Sequence, residues 1–149
     1  MYHLLLLIFS VSLLATSCSK DEFDPTKQLE KDLAQINQYL TDKGLSAKST
    51  ASGLHYIIET EGTGGHPDLS STVDVEYKGY LLDGSVFDAR RTTFPLSNVI
   101  EGWQEGIPLF QKGGKGKLLI PSGLGYGNRA AGTIPANSVL VFDIELFGF

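Results

Sequence analysis

Hydrophobic residues follow three different patterns along this chain. Leu4 to Ala15 is an apolar run broken only by Ser10 and Ser12. From Thr26 onward Leu29, Leu33, Ile36 and Leu40 recur at steps of four, three and four, which is one face of an α-helix. Asp24 or Thr26 is placed to cap it, Pro25 suits its first turn, and Gly44 stops it. A single apolar stripe has to be covered. It can dock on the domain that follows, pair with a second chain, or act as a spacer, and docking on the domain is the preferred expectation. Beyond Gly53 the period changes to two. Leu54 to Thr60 reads as a strand that ends in the turn residues Glu61 to Gly65. Val73, Val75 and Tyr77 then alternate with Asp74, Glu76 and Lys78. Lys115 to Ile120 and Val139 to Phe147 are further strands, Ala89 to Pro95 reads as a short loop, and Gly102 to Phe110 has room for about two turns of helix. Several strands covered by one short helix define an α+β domain built on an antiparallel sheet.

Composition narrows the function classes. The chain has 149 residues and a net charge of −5, enough for one domain with short additions. No cluster of Lys or Arg is longer than Lys112, Lys115 and Lys117, so no nucleic-acid partner is expected. With one cysteine, Cys18, there is no internal disulfide, and His3, His55 and His66 show no metal-ligand spacing. The glycine-rich stretches Gly62 to Gly65, Gly113-Gly114 and Gly123 to Gly127 lack the residues that turn such loops into phosphate cradles. No cofactor is called for.

The N-terminal run is too short to span a bilayer, which takes about 20 apolar residues. It closes on Ala15-Thr16-Ser17 and then Cys18, as a secretory signal does. This ending resembles the lipobox of bacterial lipoproteins, which implies a cut before Cys18 and lipidation there. An ordinary signal peptide or a short membrane anchor are the alternatives. The lipoprotein reading is preferred because the only cysteine falls at that position. Ser19 is similar to outer-membrane sorting signals, and Lys20-Asp21-Glu22 to surface-export signals, although a solvated tether explains the same residues. The implied organisation is a signal peptide at 1–17, a tether at 18–25, an amphipathic helix at 26–44, a linker at 45–52 and a domain at 53–149, exported and lipid-anchored in the cell envelope, on either the periplasmic or the surface face of the outer membrane.

Three segments of the domain carry a further resemblance. The run from Val75 through Tyr77-Lys78-Gly79-Tyr80 to Phe87-Asp88, the run Val99-Ile100-Glu101-Gly102-Trp103-Gln104-Glu105-Gly106, and the set Tyr126-Gly127, Ile134-Pro135 and Val141 to Leu146 stand in order from about Ser52 to Phe149. Together they resemble the signatures of the FK506-binding peptidyl-prolyl isomerases. The resemblance implies a twisted antiparallel sheet wrapped around the short helix, with a proline pocket between them. Trp103 would be its floor. Tyr77, Phe87, Val99, Ile100 and Phe142 match wall positions, Asp88 the pocket carboxylate, and Tyr126 a loop hydroxyl that donates to the ligand. The Ile100 amide matches the group that holds a substrate carbonyl, Ile134 an apolar lip, and Phe94 a further aromatic. Taken singly, Trp103, Phe87 and Phe142 read as core, Asp88 as a turn cap and Tyr77 as a strand end. Ala130 and Ala131 stand where some members carry bulkier residues, which bears on substrate preference.

The implied partners are proline-containing polypeptides and macrolide inhibitors of the FK506 type. The implied activity is cis–trans isomerisation of X–Pro bonds. A module that grips proline segments with little turnover is the alternative. All of these motifs follow Ser52, so the helix before it is expected to be dispensable for the chemistry.

Overall fold

A computed structural model describes residues 23–149. Cys18 and the whole targeting segment lie outside the described residues. Helix α1 spans Pro25–Lys43. The Asp24 carboxylate caps it by accepting from the amides of Thr26 at 2.9 Å and Lys27 at 3.3 Å, and Gly44 ends it in the left-handed conformation at φ 63°. None of the described helices is long and apolar enough to cross a membrane.

Six strands follow: β1 (Lys48–Ser49), β2 (His55–Thr60), β3 (Thr72–Leu81), β4 (Val86–Pro95), β5 (Lys115–Ile120) and β6 (Leu140–Gly148). They form one sheet in the order β1-β2-β5-β6-β3-β4, and every neighbouring pair is antiparallel. The expected α+β class is what the chain adopts. Helix α2 (Glu101–Gly106) packs on one face of the sheet and runs into a 3₁₀ turn at Ile107–Leu109.

Two elements differ from the reading of the sequence. Residues Ala89 to Pro95 are not a loop but the body of β4, paired in register with β3 from Thr72↔Pro95 to Gly79↔Asp88. An edge strand has one neighbour and can be polar over most of its length, so its Arg-Arg-Thr-Thr stretch hides the alternation. Part of the expected linker is β1, two residues paired with His55 and Tyr56.

The sheet has a core on each face. On the inner face Val73, Val75 and Tyr77 of β3, Leu118 and Ile120 of β5, and Phe142, Ile144 and Leu146 of β6 pack with Trp103, Ile107 and Phe110. On the outer face Ile36 and Leu40 of α1 cover Leu119, Val139 and Val141. Helix α1 is therefore docked on the domain. Burying one Ile or Leu side chain contributes about 1.5–3 kcal/mol, so this seat is a substantial part of the stability. Beyond the helix, the outer face carries crossed charges: Lys117 pairs with Asp143, and Lys115 with Glu145 at 2.9 Å.

Candidate active site

The glycines of the Glu101-Gly102-Trp103-Gln104-Glu105-Gly106 segment explain how α2 seats. A Cβ on Gly102 would collide with Ile120, and one on Gly106 would lie 2.6 Å from Leu118. Four residues apart, the two share one helix face, which lies directly on β5. Trp103, between them, is only 5 % exposed and is held by rings: Tyr77 at 4.9 Å and Phe142 at 5.1 Å meet it edge-on, and Phe94 at 5.3 Å is tilted. Phe87 meets Phe142 edge-on at 5.6 Å. Such pairs add about 0.5–1.5 kcal/mol beyond area burial and fix ring orientation.

All of these rings but Phe94 bound a cavity of about 370 Å³ lined by Tyr77, Phe87, Asp88, Arg90, Asn98, Val99, Ile100, Trp103, Tyr126 and Phe142. Eight of the expected site residues meet here. Phe94 and Ile134 do not line the cavity; they pack in the core around it. A larger hollow of about 580 Å³ on the outer face has a charged lining that includes Glu59, Glu76, Lys117 and Glu145, and no comparable set of rings.

The polar rim is one connected network. Tyr77 donates its hydroxyl to Asp88 Oδ2 at 2.5 Å and accepts from Arg90 Nε at 2.9 Å, while Arg90 Nη2 lies 3.5 Å from Asp88. Burial raises the Tyr77 pKa above the ordinary tyrosine value, and the Asp88 acceptor adds to this against the opposing pull of Arg90. Tyr77 thus stays a protonated donor. Behind the wall, Gln104 Nε2 donates to the Val99 carbonyl at 2.8 Å and holds the segment that leads into α2. The Ile100 carbonyl accepts from the amides of Trp103 and Gln104. Ile100 is the helix N-cap, so its own amide lies outside the helical ladder. The Trp103 indole N–H is buried and has no acceptor among the described residues.

Arg90, Asn98 and the pinning role of Gln104 were missed in the sequence. The usable signal for Arg90 was its place two residues after Asp88, on the same face if the segment is a strand.

A sheet folded over a short helix whose tryptophan floors a ring-lined cavity defines the class of the prolyl isomerases of the FK506-binding type. The chain belongs to the family of FKBP-type peptidyl-prolyl cis-trans isomerases, which it matches over residues 64–147, more than half its length. It is 46 % identical over 132 residues to FKBP-type peptidyl-prolyl cis-trans isomerase FkpA of Aeromonas hydrophila, covering 85 % of this chain and 47 % of that protein. Its identity to FkpA of Escherichia coli K12 is 40 % over 143 residues, 93 % of this chain and 52 % of the relative. The chain thus spans about half the length of the curated relatives it matches. The crystal structure of FkpA from E. coli superimposes with a TM-score of 0.71 at 39 % identity, covering 83 % of this chain and 63 % of the other. A peptidyl-prolyl cis-trans isomerase from Pseudomonas syringae pv. tomato gives 0.72 at 33 % identity, covering 85 % of this chain and 96 % of the other.

Proposed function

We propose that this chain is a peptidyl-prolyl cis–trans isomerase that assists the folding of proline-containing proteins in the cell envelope, held there by a lipid on Cys18. The observation that carries the catalytic reading is the cavity floored by Trp103 and walled by Tyr77, Phe87 and Phe142.

Rotation about a peptide bond faces a barrier of about 18–20 kcal/mol, and an X–Pro bond turns over unaided in tens of seconds. A thousandfold acceleration needs only about 4 kcal/mol. No bond breaks, so the reaction needs no nucleophile. The planar amide is stabilised by charge-separated resonance, which the twisted amide loses. A dry aromatic cavity therefore disfavours the planar state relative to the twisted one. In this reading the proline ring rests on Trp103, the Ile100 amide holds a flanking carbonyl, and Tyr126 donates from the opposite loop. The Tyr77–Asp88–Arg90 network fixes the rim. Macrolides of the FK506 type fit the same cavity.

A coupled-proteolysis isomerase assay on the full chain tests the activity. Accelerated turnover that Trp103→Ala removes supports it, and tight binding of proline peptides without turnover refutes it in favour of a binding module. For the anchor, Cys18→Ala should abolish labelling by a palmitate analogue. Label that persists at another site overturns that assignment.

A further inference from the structure

Asp32 is a carboxylate in the middle of α1, a position that reads as a solvated helix face, yet it is 0 % exposed. Its Oδ2 accepts from Ser122 twice, from the amide at 2.7 Å and the hydroxyl at 2.6 Å, while Oδ1 accepts from Gln28 Nε2 at 2.7 Å. All three donors are neutral groups, two from Ser122 and one from Gln28. Only a carboxylate serves both sides at once. An amide of the same shape offers one acceptor oxygen and turns its NH₂ toward a donor, either Ser122 or Gln28.

Ser122 passes this fixation on. Its carbonyl accepts from the amides of Gly125 at 3.0 Å and Gly127 at 2.8 Å. Those two amides flank Tyr126, and the Gly127 carbonyl in turn accepts from the Asn137 amide at 2.8 Å. Tyr126 itself is 43 % exposed and lines the ring-walled cavity, so little side-chain packing holds it. Its place is set by the loop backbone, and that backbone is tied to α1.

We propose that Asp32 is a positioning residue for the isomerase reaction: from the N-terminal helix it anchors Ser122, whose carbonyl holds the loop that presents Tyr126 to the cavity. This rests on the isomerase reading above and replaces the expectation that the helix is dispensable for the chemistry. The helix becomes a working part of the site, acting through the loop that carries Tyr126.

The test is a double-mutant cycle on the full chain, with kcat/KM measured on a short prolyl peptide below the onset of melting. Asp32→Asn is expected to lower kcat/KM about fivefold or more in the wild-type background and less than about twofold when Tyr126 is already Phe. Ile36→Ala removes apolar packing from the same helix without touching Asp32, and should lower the melting temperature while keeping kcat/KM within about twofold. Ser122→Ala, which keeps the amide bond and loses the hydroxyl one, should give an intermediate loss with the same dependence on Tyr126. It serves as the primary variant if Asp32→Asn does not fold. Amide exchange gives a readout independent of turnover: Gly125 and Gly127 should exchange about tenfold faster in Asp32→Asn, with Leu118 unchanged. An equal loss in both Tyr126 backgrounds, an equal loss in Ile36→Ala, or unaltered exchange at Gly125 and Gly127 overturns the proposal. A wild-type chain without isomerase activity refutes the functional reading instead, and the exchange measurement then still decides whether Asp32 holds the loop.

Discussion

Replacing Gly79 by Ala adds one methyl group against Phe87 and Phe142, two rings of the cavity wall. A Cβ there would lie 2.5 Å from Phe87 Cε2 and 2.7 Å from Phe142 Cε1. Carbon atoms prefer about 3.5–4.0 Å, so the neighbours must retreat by about 1 Å. The backbone is held from both sides, because Gly79 pairs with Asp88 of β4 and with Phe142 of β6, and the β3–β4 register shifts only after it. Phe142, 4 % exposed and wedged against Trp103, is also fixed. Phe87 is half-buried and is the ring that moves. Overpacking costs about 1–3 kcal/mol, and relieving a strand of its glycine returns about 0.5–1 kcal/mol, so the net loss is at most about 2.5 kcal/mol. A domain of typical stability, about 5–15 kcal/mol, remains almost wholly folded after such a loss. Displacing a wall ring by about 1 Å, in contrast, can lower turnover by as much as a hundredfold. Urea denaturation and kcat/KM on a prolyl peptide should therefore diverge, with a small shift in midpoint and a large fall in rate. A destabilised Gly79→Ala protein with unchanged kcat/KM would refute the idea that β3 sets the spacing of the two rings.

Trp103→Ala and Phe142→Ala should each cost about 3–5 kcal/mol in chemical denaturation and both should lose activity, because the two rings share one buried cluster. The rate should be nearly flat from about pH 6 to 8, since no histidine lines the cavity and burial holds the Tyr77 pKa above its ordinary value; a limb within that range would show that proton transfer contributes. Stability should decline in alkali. Burial raises the pKa of both Tyr77 and Tyr80, with the Tyr39 and Asp143 neighbours adding to the effect at Tyr80. The folded state thus keeps protons that the unfolded chain releases, and stability present below about pH 10 is lost as pH climbs above it. Thermal melts across that range should show a shallower decline for Tyr80→Phe.

What the sequence discloses depends on how many faces an element buries. Helix α1 and strands β3 and β6 set apolar residues at a clean period, and β5 buries three in a row; α1, β5 and β6 form within a residue of where they were read, while β3 runs three residues past Lys78 to Leu81. Strand β4 escaped because an edge strand needs little apolar surface, and β1 because two residues carry no period. The ring-lined site was legible through Trp103, Tyr77, Phe87 and Phe142, which stand in motifs. Arg90 was not, because its one signal, a place two residues after Asp88, counts only once the segment is known to be a strand rather than a loop. Phe94 and Ile134 matched site positions in the sequence but pack beside the cavity rather than on its wall. The role of Asp32 was out of reach for another reason: its partner Ser122 is 90 positions away, and nothing local marks a mid-helix acid as buried.

Strand β6 lies between β5 and β3, although it spans Leu140–Gly148 and is the last of the six to be made. Until it arrives, β5 and β3 lack the neighbour they share, and the sheet is two unconnected ribbons, β1-β2-β5 and β3-β4. Two-stranded ribbons alone are marginal at best in water. Helix α1, synthesised before every strand, finds Val139 and Val141 of its seat at that same late moment. The sheet therefore becomes continuous, and the seat of α1 complete, only once β6 has been made.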